Sequence, residues 1–234
     1  MNVLVAIPFR DRGRDPLRQV NLLRILEHWD QDHQRAAVVA SDGRDGDQQF
    51  NRSAAYNKAV RDHPDVDVFV FTESDMLINP EQIEAGIELA AAHPGQVVPF
   101  TEYHYLTPED SHDIRNHAVE PEHCTPETIM TNGRSHGAIN IISRESLRLV
   151  GQYDELFEGN WYDDTAMKIA YTKTCGPTRF IPGPAHHLYH LPGWTGDHLT
   201  DQDRAATRRN HLRCRTYRMA QTPDRIRHLT AGGQ

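Results

Sequence analysis

The sequence predicts an α/β fold, in which helices flank a mostly parallel sheet of the doubly wound type. Short apolar segments alternate with segments whose apolar residues recur at helical spacing. A chain of 234 residues is long enough for one large domain with a sizeable core.

The first part of the chain alternates regularly between strand and helix. Apolar residues from Leu17 to Leu26 follow a helical period, and Pro80 suits the first turn of a helix. With these signals, strands are predicted at 3–8, 36–40, 66–72 and 97–100, and helices at 16–29, 50–60 and 80–92.

Residues 101–135 interrupt this alternation, because they are rich in His, Glu, Pro and Thr and show no clear period. A connection of this length is often a functional loop or lid. Beyond it, strands are predicted at 137–143, 179–181 and 186–190, and helices at 163–174 and 201–220.

Composition favours a cytoplasmic protein without a membrane span. Net charge is −8, mean hydropathy is −0.68, and no run of 18 apolar residues occurs. Cys124, Cys175 and Cys214 show neither CxxC nor metal-site spacing, so we expect reduced thiols.

Acidic residues follow the third predicted strand directly, in the order Glu73-Ser74-Asp75. The carboxyl ends of strands in open α/β sheets are where ligands bind. Carboxylates there hold hard divalent cations and, through them, pyrophosphates. The sequence therefore predicts a site for a cation at this strand end.

Four further stretches accompany this acidic motif in a recognisable order. They are P-F-R-D-R at 8–12, F-N-R-S-A-A-Y-N at 50–57, G-Q-Y-D-E followed by N-W-Y-D-D-T between 151 and 165, and H-H-L-Y-H at 186–190. Together they resemble the GT-A class of nucleotide-sugar glycosyltransferases, above all the β-1,4-galactosyltransferase-like and family 2-type enzymes. The chain departs from that pattern with E-S-D for D-x-D, W-Y-D-D for W-G-x-E-D, and Gly-Gln for Gly-Gly.

The resemblance implies one GT-A domain over 1–230, with a nucleotide-binding half at 1–100, an acceptor and catalytic half at 101–200 and an Arg-rich C-terminal helix at 201–230. It also implies a metal site for Mn²⁺ or Mg²⁺. Asp75 and His190 are the expected ligands, with His187 as the alternative histidine. Imidazole together with carboxylate suits Mn²⁺.

The donor implied by the resemblance is a nucleotide sugar, with a UDP-sugar expected. Arginine suits its phosphates because the planar guanidinium donates two hydrogen bonds at once. Alternatively, Arg10 and Arg12 are ordinary charges at a helix entry and Phe50 is a core residue. The expected donor-binding residues are Pro8, Arg10, Arg12, Asp42, Phe50, Arg52, Glu73 and Trp161.

The resemblance assigns the catalytic base to Asp164, with Asp163 as the second choice, in an inverting displacement by an acceptor hydroxyl. Alternatively, both are acids of a first helical turn, where the helix dipole favours them. The acceptor is left open between a glycan, a small molecule and a protein, and so is the oligomeric state. A binding protein without catalysis is a further alternative, although both key carboxylates are present. A nucleotidyltransferase is disfavoured because the loop after the first strand contains no lysine.

The C-terminal segment from Arg204 to Arg227 holds eight arginines and one acid, which leaves −15 on the remainder of the chain. One interpretation is a docked amphipathic helix, with Leu212 and Met219 in its apolar stripe. The other is a polyanion-binding surface, and the acceptor would then be a hydroxymethylated base in DNA.

Overall fold

The computed structural model describes residues 1–131, 133–193 and 195–233, and in these residues the strands form two sheets. The strands are β1 (Val3–Pro8), β2 (Ala37–Ala40), β3 (Val68–Thr72), β4 (Met76–Ile78), β5 (Gln96–Val98), β6 (Glu102–Tyr105), β7 (Thr128–Met130), β8 (Ile139–Ser143), β9 (Arg179–Phe180) and β10 (Pro184–His187). The central sheet has the order β2-β1-β3-β8-β5-β9, and the smaller sheet has the order β4-β10-β6-β7.

Six of the described helices lie between these strands along the chain, and the last two follow β10. They are α1 (Pro16–Gln31), α2 (Arg52–Asp62), α3 (Pro80–Ala92), α4 (Pro108–Arg115), α5 (Arg144–Val150), α6 (Asp163–Cys175), α7 (Asp201–Met219) and α8 (Pro223–Thr230), with a 3₁₀ turn at Pro121–His123. No helix in the described ranges is long and apolar enough to cross a membrane. All three cysteines are free.

The central sheet is mostly parallel, which confirms the predicted fold class. β1 pairs in parallel with β2 and β3, and β5 pairs in parallel with β9. Only β8, among the strands of this sheet in the described chain, runs antiparallel to its neighbours β3 and β5. The carboxyl ends of β1, β2 and β3 therefore lie at one edge, where a ligand site is expected.

Helices cover the central sheet on both faces, and β3 shows why its sequence is apolar throughout. Val70 belongs to the core cluster that contains Ile25 and Trp29 of α1. Phe71 faces the other side, where its ring lies 4.3 Å from that of Tyr56 on α2. Successive side chains of a strand point to opposite faces, so both faces of β3 must be apolar.

The prediction of an irregular segment at 101–135 is wrong in part. This segment contains β6, α4, the 3₁₀ turn and β7, and β6 and β7 complete the smaller sheet. These strands are only three or four residues long, so they contain too few residues to show a period. The sequence pattern does not indicate the short elements β4, α5 and α8 either.

Helix starts follow local capping rather than the onset of apolar residues. The helix predicted from residue 50 begins at Arg52, because Asn51 is its N-cap and accepts a hydrogen bond from Ala54 N at 2.8 Å. Asp15 caps α1 in the same way through Leu17 N. Both caps fix loops that line the candidate site.

Candidate active site

Asp75, His187 and His190 form a compact cluster in the described part of the chain. His190 Nε2 lies 3.1 Å from Asp75 Oδ2, and His187 Nε2 lies 3.8 Å from the same oxygen. The two histidine Nε2 atoms are 3.2 Å apart. One ligand atom from each residue lies within 4.8 Å of the others, which is a spacing that a single metal ion can bridge. The structure thus brings both predicted histidines to Asp75.

Main-chain pairing brings these residues together. Antiparallel pairing of β4 with β10 sets Met76 opposite His187, so Asp75 lies beside that histidine. Leu188 N donates to the main-chain oxygen of Asp75 at 2.8 Å and extends this register. His190 follows three residues after the end of β10 and folds back over Asp75. Sequence motifs far apart in the chain therefore meet through the unpredicted strand β4.

The hydrogen bonds of the cluster suit a cation. Asp75 is 2% exposed, and its Oδ1 atom has no hydrogen-bond partner among the described residues. A buried carboxylate oxygen without a donor is costly. A divalent cation would supply its missing partner, so the residues present fit a metal ion.

Protonation of the cluster follows from burial and mutual charge. Burial lowers the pKa of His187 to about 4, which keeps its imidazole neutral. Burial also opposes the charged form of His190, but its hydrogen bond to Asp75 raises its pKa overall. Burial would raise the pKa of Asp75, yet His187 and His190 hold it well below its usual range. Neutral imidazole and ionised carboxylate are the forms that bind metals.

Asp15 and Arg18 belong to this cluster, and sequence reasoning misses both. Asp15 Oδ2 accepts from Leu191 N at 2.8 Å and lies 3.9 Å from His190 Nδ1. The Arg18 guanidinium lies 3.3 Å from the same nitrogen. Arg18 occupies the first turn of α1, where the helix dipole disfavours a cation. A basic residue in the first turn of a helix is therefore the sequence signal that points to Arg18.

An open cleft adjoins the cluster. Its wall is built mainly from the β1–α1 loop and the segments near Asn160 and His198. Of the predicted donor-binding residues, Pro8, Arg10, Arg12 and Phe50 line it, together with the unpredicted Arg14 and Arg18.

Arg10 is held by the loop that follows β2. Its guanidinium donates to Gly46 O at 2.5 Å and Gln48 O at 2.7 Å, and its Nε lies 3.1 Å from Asp42 Oδ1. The Asp42 side chain is fully buried and also accepts from Asn51 N at 2.9 Å. Asp42 thus fixes the wall of the cleft, and it does not itself line the cleft.

Arg12 and Arg14 share two carboxylates, Asp47 and Asp203. Arg12 Nη1 lies 3.2 Å from Asp203 Oδ1, and Arg14 Nη1 lies 2.5 Å from Asp203 Oδ2. Asp47 contacts both arginines from the other side. Asp203 belongs to the first turn of α7, so these pairs join that helix to the β1–α1 loop.

Arg52 bridges two acids and does not line the cleft. Its Nε donates to Asp163 Oδ2 at 2.7 Å, and its Nη1 pairs with Glu73. Burial raises the pKa of Glu73, the charge of Arg52 opposes this, and Asp75 and Asp164 raise it further. The charges of Asp75, a predicted metal ligand, and of Asp164, the predicted base, both act on Glu73. The three acids therefore lie near one another.

Asp164 differs from Asp163 in its surroundings. Asp163 is 7% exposed and tied to Arg52, whereas Asp164 is partly exposed and accepts from Thr165 N at 2.6 Å. Gly137 lies directly against Asp164, since a Cβ atom at Gly137 would be 2.4 Å from Asp164 Cβ. The glycine therefore leaves space for the Asp164 side chain.

The residues before α6 have an unusual backbone. Trp161 has φ of 76° and Tyr162 has φ of 74°, both in the left-handed region that favours glycine. In the W-G-x-E-D pattern that this segment resembles, a glycine follows the tryptophan. In this chain Tyr162 follows Trp161 and adopts the left-handed conformation without being a glycine. The Trp161 indole is 48% exposed and donates to Gly193 O at 3.3 Å. Such strain is often retained at functional sites.

The acid of the G-Q-Y-D-E stretch has a structural position. Asp154 is fully buried and accepts from Tyr217 Oη at 2.8 Å and from Arg213 Nε at 2.7 Å. Both partners belong to α7, so Asp154 anchors that helix to the domain. One arginine of the C-terminal segment is thereby turned inward.

Comparison with known proteins identifies the fold. Drosophila β-1,4-galactosyltransferase 7 with manganese, UDP-Gal and xylobiose has a TM-score of 0.52 at 11% identity, over 88% of this chain and 79% of that chain. Glucosyl-3-phosphoglycerate synthase from Mycobacterium tuberculosis with Mn²⁺, UDP-glucose and phosphoglyceric acid has a TM-score of 0.52 at 13% identity, over 96% and 79%. GalNAc-T7 with UDP, GalNAc and Mn²⁺ reaches 0.54 at 13% identity, over 92% of this chain and 47% of that chain.

No family model and no curated sequence matches the chain. The likeness is therefore one of structure, and it shows that the chain has the GT-A fold of nucleotide-sugar glycosyltransferases.

Proposed function

We propose that this protein is a metal-dependent glycosyltransferase, a single GT-A domain that moves a sugar from a nucleotide sugar, with UDP-sugar as the expected donor, to an acceptor hydroxyl. The observation that carries the proposal is the Asp75–His187–His190 cluster at the edge of an arginine-lined cleft. Galactosyltransferase 7 and the phosphoglycerate synthase, which share the fold, hold manganese and UDP-sugars in their structures.

Asp75, His187 and His190 would hold the cation. Their mixture of carboxylate and imidazole favours Mn²⁺ over Mg²⁺, which prefers oxygen ligands and water. A bound divalent cation neutralises charge on a diphosphate leaving group. Leu191 O accepts from His190 Nδ1 at 2.7 Å, which orients the ring so that Nε2 faces the cluster.

The cleft would hold the donor nucleotide. We assign Arg18 to the diphosphate. Its Nε atom lies 3.9 Å from Asp15 Oδ2, so its guanidinium has no close carboxylate partner among the described residues and can pair with a phosphate. Arg10, Arg12 and Arg14 all have closer carboxylate contacts, so we assign them to shaping the wall of the cleft. Phe50 supplies an apolar surface in the same cleft for the uracil ring.

Asp164 would accept the proton of the acceptor hydroxyl as that oxygen attacks the anomeric carbon. The oxygen–carbon bond forms as the bond from the anomeric carbon to the diphosphate breaks, with inversion. Asp163 is less suited because Arg52 occupies one of its oxygens. We assign Arg52 and Asp163 to positioning, since together with Glu73 they fix the start of α6 beside the end of β3.

The experiment is a UDP-release assay with a panel of UDP-sugars and simple acceptors. Purified protein with Mn²⁺ should release UDP, chelation should stop the release, and Asp164→Asn should reduce it strongly. UDP release that is indifferent to chelation and to Asp164→Asn would contradict the proposal. If the protein releases no UDP with any donor and binds no nucleotide, it has the fold but not the proposed activity.

A further inference from the structure

The outward face of α7 carries arginines that have no acidic partner within the described chain. Among the other arginines of the segment, Arg204 contacts Asp201, Arg209 contacts Glu158, Arg213 is held by Asp154 and Arg227 contacts Asp224. The remaining exposed arginines of α7 share one face, which we call the basic face and define as Arg208, Arg215 and Arg218 with His211, Leu212 and Met219.

This arrangement corrects the expected apolar stripe. Leu212 is 61% exposed and Met219 is 71% exposed, so neither packs against the domain. The helix docks instead through Ala206, Cys214 and Tyr217 on its opposite side. Residues 208, 212, 215 and 219 recur at helical spacing and therefore lie on one stripe. Arg208 and Arg215 lie on this stripe, whereas Arg209 and Arg213 lie on other sides of the helix.

The basic face adjoins the candidate catalytic residues. The ring of His211 lies 5.0 Å from that of Tyr162 at an angle of 33°, and Tyr162 directly precedes Asp163. A shallow groove on this face is lined by His211, Arg215, Arg218 and Met219. The exposed indole of Trp161 lies next in the chain. Positive charge and an exposed aromatic side chain therefore lie beside the segment that begins α6.

We propose that the basic face binds the phosphate backbone of a nucleic acid and presents a hydroxyl group carried by one of its bases to Asp164. The identification of the acceptor rests on the proposed glycosyltransferase function, whereas the binding surface does not. Arginines that contact phosphates supply sequence-independent affinity, and an aromatic side chain beside them can stack an unpaired base. Trp161 is the aromatic residue that would stack.

A membrane surface fits the basic face less well. A helix that lies in a bilayer interface buries a broad apolar face among the acyl chains. The apolar side of α7 is already occupied by the domain, and the outward face offers only Leu212 and Met219. The charge of this face complements a polyanion without requiring insertion.

The test measures binding and not transfer. Fluorescence anisotropy of a short labelled DNA duplex and of the matching single strand would be recorded with wild-type protein from about 50 to 200 mM salt. The triple variant Arg208→Gln, Arg215→Gln, Arg218→Gln removes the basic face, and its melting temperature should match the wild type because all three side chains are exposed. Lys58→Gln, Arg61→Gln, Arg148→Gln is the control with equal charge loss on α2 and α5, again at exposed residues.

We expect the triple variant to lower the slope of log affinity against log salt by about two to three, because each arginine that no longer binds a phosphate reduces the slope by about one. The control variant should change the slope far less. Equal reductions in both variants, or binding to anionic phosphatidylserine vesicles with none to nucleic acid, would overturn the proposal. The binding assay contains no sugar donor. If the protein binds nucleic acid in this assay but never releases UDP in the transfer assay, the proposed function is refuted and the binding surface is not.

Discussion

The Nε2 atom of His190 lies 3.1 Å from Oδ2 of Asp75. One residue follows β3 and the other follows β10, and the pairing of β4 with β10 joins them. A buried carboxylate beside two imidazoles, with one carboxylate oxygen that has no donor among the described residues, is a ligand set prepared for a cation. In the function that we propose, this cluster would hold the cation, the adjoining cleft would hold the donor, and Asp164 would act as the base.

Asp164→Asn should separate chemistry from donor binding. The amide keeps the shape of the side chain but cannot accept a proton, so transfer should fall by about 10²–10⁴-fold. UDP affinity in Mn²⁺, measured by calorimetry, should stay at the wild-type value. Glu145→Gln, an exposed acid in the first turn of α5, is the matched control and should change neither quantity. Full activity of Asp164→Asn would show that another residue is the catalytic base.

Gly137→Ala should displace Asp164. The added methyl group would lie 2.4 Å from Asp164 Cβ. This distance is too short for two carbon atoms, so Asp164 or the chain at Gly137 must move. Overpacking of this kind costs about 1–3 kcal/mol of unfolding free energy. The cost should largely vanish in an Asp164→Gly background, where the opposing Cβ is absent. Urea unfolding of the four proteins in this cycle provides the measurement, and an undiminished cost in the Asp164→Gly background would contradict the contact.

The sequence predicts the central sheet well, because its apolar strands are local signals. It also names the three residues that lie together at Asp75, but it does not predict β4, whose pairing with β10 joins them. Buried strands are apolar throughout, and Asp75 follows one of them. The contacts of Arg12 with Asp203 and of Arg52 with Asp163 depend on loops that meet only in the folded chain. Sequence reasoning assigns both arginines to the nucleotide, with a helix-entry charge as the alternative for Arg12, whereas the structure shows each one paired with an acid.

Arg18→Gln should weaken donor binding while Mn²⁺ is present. A hydrogen bond to a charged group contributes about 1.5–3 kcal/mol, so the Kd for UDP should rise by about 10-fold to 150-fold. Arg35→Gln removes a half-buried arginine that pairs with Glu84 outside the cleft, and it should leave the Kd unchanged. An unaltered Kd in Arg18→Gln, measured by calorimetry, would exclude Arg18 from the donor site.

His33 should make stability depend on pH. Burial lowers its pKa from the ordinary 6.5 to about 4, so between these values the unfolded chain binds more protons than the folded one. Stability from this residue is therefore complete above pH 6.5 and declines as the pH falls towards 4. Between about pH 7 and pH 5 the loss should be about 2 kcal/mol.

His33→Phe keeps an aromatic ring against Trp29, whose ring lies 4.1 Å away, and removes the titrating group. Urea unfolding at both pH values should show a decline that is smaller by about 2 kcal/mol than in the wild type. An identical decline in both proteins would show that His33 does not titrate as its burial implies.

The central claim is that Asp75 holds a cation that the donor nucleotide needs. The most direct measurement is the melting temperature of wild type and Asp75→Asn with UDP, with and without Mn²⁺. A ligand at about 100 times its Kd stabilises the folded state by about 2.7 kcal/mol, which raises the melting temperature by about 5–10 °C in a chain of this size. We predict that rise only for wild type with both ligands, with His104→Gln, outside the cluster, behaving as wild type. An equal rise in Asp75→Asn, or a rise without Mn²⁺, would contradict the account.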